Sequence, residues 1–216
     1  MFYELIKMKM NDWYQSTDCK IKNVIDYIVK QNKMRDAQIE AIKLYLFFKI
    51  YCKNLPLPKL FEQGYFIKNI DIDSMPLPKQ FREFLYTNNS ARQLYEIAIS
   101  DNKYQSLRKE IENKYDILDY ENIFSNIFHN VNYADYIYSL PMGAGKTFLM
   151  SAFMYLDLYF ALNEPYNKAF AHNFIVLAPS GLKSSIIPSL KNIKNFDVSW
   201  ILPEPTATNL KNIIKY

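Results

Sequence analysis

Over the first 130 positions, apolar residues recur at the three- and four-residue spacing of helices. Ile21, Val24, Ile25, Ile28 and Val29 form one stripe, preceded by Ser16, Thr17 and Asp18 as candidate caps. The pattern predicts a second helix over 35–53, apolar over much of its surface. Two copies of Pro-Leu-Pro-Lys follow, at 56–59 and 76–79. Two copies are too few for a repeat architecture, so they read as punctuation, ending one helix and opening the next. A long surface helix capped by Ser90 is predicted over 90–115, and another over 119–131 that packs Ile123, Phe124, Ile127 and Phe128 inward.

The pattern changes after residue 130. Residues 134–139, "ADYIYS", read as a short strand and 173–179, "NFIVLAP", as an apolar strand covered on both faces. Residues 196–202, "FDVSWIL", read as a third strand. Between them, 147–162 reads as a buried helix, apolar nearly all round, and 180–193 as a helix complicated by Pro188; 206–216 starts a last helix. Strand, loop, helix, strand, helix, strand is the order of an α/β fold with a parallel sheet. The expected organisation is therefore a helical region over 1–130, holding the helix 35–53 and a helical insertion over 56–130. A partial sheet domain over 131–216 follows.

Composition narrows the function classes. Half of the 216 residues are hydrophobic and 22% are charged, which excludes a disordered chain. The net charge of +4 is spread evenly, 19 basic against 17 acidic residues up to position 130 and 7 against 5 after it. No basic block marks a nucleic-acid surface by itself. Cys19 and Cys52 stand in unrelated contexts and His129 and His172 are isolated, so no zinc-ligand spacing exists. The N-terminus lacks an apolar core of signal-peptide length, and the apolar run around 148–162 is interrupted by Asp157 and too short to span a bilayer. A cytoplasmic protein without a membrane segment is expected.

The chemistry centres on "SLPMGAGKTFLM", 139–150. The chain has four glycines where about 15 would be average, and two of them, Gly143 and Gly145, lead into Lys146-Thr147. The phosphate-loop pattern GxxxxGK[ST] keeps its tail here, with Leu140 at the first glycine position. Glycines let successive N–H groups face one anion, and a helix start adds unpaired donors and partial positive charge. Lys146 would reach the β- and γ-phosphates of a nucleotide, and Thr147 would place its hydroxyl on Mg²⁺. Met142 and Phe148 flank this cradle. A strand-to-helix turn that only looks like a cradle is the plainer alternative.

Three segments together resemble superfamily-two DEAD/DEAH-box helicases related to type III restriction subunits. "LPMGAGKT" is similar to their motif I, which tolerates a non-glycine first residue; "VLAPSGLKSSIIPSL" to motif Ia; and "MRDAQIEAI" to the upstream glutamine-bearing helix. The resemblance covers 131–203 and, more weakly, 10–55. It implies a RecA-like parallel sheet with a P-loop, ATP and Mg²⁺ as cofactors, and Gly143, Ala144, Gly145, Lys146 and Thr147 around the triphosphate. It implies Gln38 as adenine reader, since a carboxamide can pair with N6 and N7 together; a helix-surface glutamine is the alternative. It also implies Ser180, Gly181 and Lys183 on a nucleic-acid phosphate, with ordinary helix capping as the alternative.

Such a motor also needs an acidic motif of the Asp-Glu-x-His kind, and no Asp-Glu pair occurs. Asp157 lies about three turns into the helix after the loop, too far from the phosphates to hold the metal. The resemblance thus implies the ATP-binding N-terminal part of a DNA helicase or translocase, cut before the acidic motif, with DNA rather than RNA as the partner class and restriction or phage-defence subunits as partners. Efficient hydrolysis by these residues alone is not expected. A nucleotide-binding or protein-interaction module without ATPase activity is the alternative, and a small P-loop kinase is disfavoured because no lid arginines or acceptor-site acid are evident.

Overall fold

The computed structural model describes residues 2–177 and 183–213; within 183–189 only the backbone and Pro188 are described. Eleven α-helices follow in chain order among the described residues: α1 (Phe2–Gln15), α2 (Lys22–Gln31), α3 (Asp36–Leu46), α4 (Leu57–Glu62), α5 (Lys79–Thr87), α6 (Asn89–Ile99), α7 (Gln105–Lys114), α8 (Tyr120–Ile127), α9 (Lys146–Asn163), α10 (Lys183–Lys194) and α11 (Thr206–Ile213). A π-helical turn, Phe47–Tyr51, prolongs α3. The chain divides into two compact units, Met1–Ile6 with Leu55–Tyr136, and Lys7–Asn54 with Ile137–Tyr216. The segment 56–130 falls within the first unit, and the helix bearing Gln38 falls with the loop 141–148 in the second.

The first unit is built around α6, which packs on α4, α5, α7 and α8. Being surrounded, α6 buries Ser90, Ala91, Gln93, Leu94, Tyr95, Glu96, Ile97 and Ala98. The expected long surface helix over 90–115 is therefore two helices, one central and one outer, broken at a short 3₁₀ turn, Asn102–Tyr104. The cap is Asn88, whose side chain accepts from the Ala91 N–H at 2.8 Å; Ser90 lies inside the helix. Both Pro-Leu-Pro-Lys copies do open helices, α4 after Pro56 and α5 after Pro78. Phe61 stacks on Phe124 at 4.3 Å and 16° in the core, while Ile127, expected inside, is 40% exposed. Gln93 ties the 61–66 turn to α6, accepting from the Phe66 N–H at 2.9 Å and donating to the Phe61 carbonyl.

In the second unit α9 packs against α3, α10 and α11 and buries Leu149, Ala152, Tyr155, Leu156, Phe160 and Ala161. Each large side chain among them contributes about 1.5–3 kcal/mol of burial. Asp157, also on α9 and 1% exposed, accepts from the Tyr45 hydroxyl (2.7 Å), the Lys49 ammonium (3.3 Å) and the Ala171 N–H (3.0 Å). The π-helical turn carries Lys49 to that carboxylate, so Asp157 fastens α3 and the segment after α9. No helix among the described residues is long and apolar enough to cross a membrane.

The expected α/β fold is overturned: among the described residues there is no strand, hence no RecA-like parallel sheet. Residues 134–140 belong to no helix or strand and alternate partly buried with exposed positions, Ile137 being 92% exposed. That alternation is what a strand needs locally, but a strand also needs a paired neighbour, and these residues form no ladder. Residues 173–177 likewise form no ladder, with Ile175 86% and Leu177 90% exposed rather than covered; 178 and 179 lie outside the described residues. In 196–202 a local competitor decides the matter. The Asp197 carboxylate accepts from the N–H (3.1 Å) and hydroxyl (2.7 Å) of Ser199, turning the chain into a 3₁₀ helix, Val198–Trp200.

Candidate nucleotide-binding site

The sequence 141–148 folds as a tight bend opening α9. Gly143 (φ 76°) and Gly145 (φ 77°) both take the left-handed conformation that costs other residues energy. The Ala144 N–H closes a turn on the Pro141 carbonyl at 3.2 Å, and Gly145 caps an 18-residue helix whose first two residues are Lys146 and Thr147. The N–H groups of Lys146, Thr147 and Phe148, in the first turn, have no acceptor within the helix. Met142 at the apex is 98% exposed and Ala144 is buried. The Thr147 carbonyl accepts from the Ser151 hydroxyl at 2.8 Å.

Three alternate carbonyls of the bend are held by side-chain donors. The Lys146 ammonium donates to Pro141 at 3.0 Å, the Arg35 guanidinium to Gly143, and the Gln38 carboxamide to Gly145 at 2.9 Å. Because each peptide is planar and trans, holding these carbonyls turns the N–H groups of Met142, Ala144 and Lys146 the opposite way. Gly145 is the tightest point. A Cβ built there would come 2.6 Å from Gln38 Nε2 and 3.8 Å from the Phe148 ring, whereas one at Gly143 would meet nothing within 4 Å.

Gln38 is 4% exposed and both ends of its carboxamide are engaged, the oxygen accepting from the Arg35 N–H at 2.8 Å as the third residue of α3 reaching back to its cap. Each end keeps one further hydrogen-bonding position, and reading adenine would require those positions, buried here, to be uncovered. Lys146 and Thr147 open α9, and two cationic groups, Arg35 and Lys146, donate to carbonyls of one short bend. Among the described residues no group of three or more His, Cys, Asp or Glu is placed to hold a metal. A Mg²⁺ ion here would be held by the Thr147 hydroxyl together with oxygens of a bound polyphosphate. Ser180 and Gly181 lie outside the described residues; Lys183 is the first residue of α10.

Sequence reasoning missed Arg35 and Trp200. Arg35 precedes Gln38 by three positions, the spacing between a helix cap and the residue that bonds back to it, which was a readable signal. Trp200 stacks on Phe148 at 5.6 Å and 14°, a contact between residues 52 positions apart that no local pattern announces. An apolar cavity of about 480 Å³ runs along α9, lined by Met154, Leu158, Leu162, Phe174, Val176 and Ile193 among others, and none of residues 141–148 lines it. Comparison with protein-family models, with curated proteins and with solved structures gives no match.

Proposed function

We propose that residues 141–148 bind the polyphosphate of ATP with Mg²⁺, as the nucleotide-binding part of an ATP-dependent DNA helicase or translocase of the restriction or phage-defence kind. One observation carries the binding reading: the left-handed bend at Gly143 and Gly145 delivers Lys146, Thr147 and unpaired N–H groups to one helix start. In this reading Lys146 neutralises the β- and γ-phosphates, Thr147 contributes a metal ligand, and Arg35 adds a second positive charge at the rim. Gln38 holds the bend from α3. The motor part rests on the sequence similarity of 140–147, 176–190 and 34–42 to helicase motifs, with DNA the partner class and a cytoplasmic setting.

The test is titration of a labelled ATP analogue with Mg²⁺ against the protein and Lys146→Ala. Binding that weakens at least tenfold in the variant supports the cradle; equal binding by both removes it. A second reading, a nucleotide-binding or protein-interaction module without ATPase activity, is favoured by the helical build of both units, which holds no strand among the described residues. Lys146-dependent ATP turnover with DNA present would remove this second reading.

A further inference from the structure

We propose that the Phe148 ring, backed by Trp200, is the stacking face for the base of the bound nucleotide, and that the site takes nucleoside triphosphates with little selection among bases. The proposal rests on the polyphosphate reading of the bend. Three aromatic rings form a graded stack beside it. Phe196 is 1% exposed, Trp200 meets it edge-on at 5.7 Å and 67°, and Phe148 lies nearly parallel on Trp200. Phe148 is the outermost ring, 38% exposed, on the first turn of α9, its ring 3.8 Å from where a Cβ on Gly145 would stand.

The position is a consequence of the motif's own spacing. Phe148 follows Thr147 directly, so its ring borders the same helix start that would hold the phosphates. The Tyr27 hydroxyl donates to the Ser199 carbonyl at 2.8 Å and fastens the turn that carries Trp200, so the backing ring is fixed. An aromatic ring held this way loses little freedom on stacking, and every base offers a π-face. Edge reading, by contrast, needs a donor–acceptor pair within a base's reach, and Gln38, 4% exposed, turns its carboxamide to Arg35 and Gly145. Stacking without edge reading gives affinity for a base but not for one base.

The experiment is calorimetric titration of ATP, GTP and inorganic tripolyphosphate, each with Mg²⁺, into the protein and into Phe148→Leu and Phe148→Tyr. The proposal expects ATP and GTP to bind within about threefold of each other. It expects the ratio of nucleotide to tripolyphosphate affinity to fall about tenfold in Phe148→Leu and to persist in Phe148→Tyr, which keeps the ring. An unchanged ratio in Phe148→Leu overturns it, as does a tenfold preference of the unaltered protein for ATP over GTP. If the unaltered protein binds none of the three ligands, the polyphosphate reading itself falls; if tripolyphosphate binds and the ratio test fails, only the stacking proposal falls.

Discussion

Replacing Gly145 with alanine tests the bend where its geometry is most demanding. At φ 77° an alanine carries left-handed strain of about 1–2 kcal/mol. Its Cβ would also stand 2.6 Å from Gln38 Nε2, so the carboxamide must move and its 2.9 Å bond to the Gly145 carbonyl is lost, costing about 1 kcal/mol more. Gly143→Ala carries the same strain at φ 76° with nothing in the way. The expected destabilisation is therefore about 2–3 kcal/mol at Gly145 and about 1–2 kcal/mol at Gly143. In a Gln38→Ala background the Gly145 substitution should fall to the Gly143 value, a coupling of about 1 kcal/mol. Urea unfolding followed by tryptophan fluorescence reads this directly, because Trp13 and Trp200 both lie in the unit that holds the bend. Equal costs at the two glycines, or strict additivity with Gln38→Ala, would show that Gln38 does not grip the loop.

Further tests follow from the buried polar groups. Lys49→Met leaves the Asp157 carboxylate, 1% exposed, without its ammonium partner and should cost about 3 kcal/mol in the same unfolding assay. Gln93→Ala strands the Phe66 N–H and the Phe61 carbonyl in the other unit and should cost about 2 kcal/mol, seen as a lower urea midpoint by circular dichroism. Burial, reinforced by hydrogen bonds to Asp26 and Glu112, pushes Tyr14 and Tyr95 up to about 12, and burial with the nearby Asp116 charge does the same for Tyr120. Raised values in the folded state mean the associated stability is whole below about pH 10 and is lost as pH rises through about 12. Ultraviolet titration of phenolate should show these groups ionising after the exposed tyrosines, with stability falling over the same window; a single transition near pH 10 with stability unchanged would refute it.

Much of the helical build was legible because its signals are local. The stripe at Ile25 and Ile28, the Pro-Leu-Pro-Lys helix starts, and the apolar surface of 147–162 depend on neighbours within a few turns, and local periodicity reports those faithfully. The bend at Gly143 and Gly145 belongs to the same class, since a left-handed backbone is a property of the residue itself. The sheet was the failure. Alternation over 134–140 and the apolar run at 173–177 describe side chains suited to strands, yet a ladder depends on a second backbone that a one-dimensional pattern does not contain.

The amino-acid order by itself determined where helices begin, where glycine permits the chain to turn, and that Lys146 and Thr147 stand at a helix start. Only the tertiary structure decided that Arg35 and Gln38 grip that turn from a helix more than a hundred residues earlier, that Trp200 backs Phe148, and that Asp157 anchors Lys49. The division has one physical cause. Backbone preference is written residue by residue, whereas hydrogen bonds and ring contacts between distant positions exist only after packing has brought those positions together.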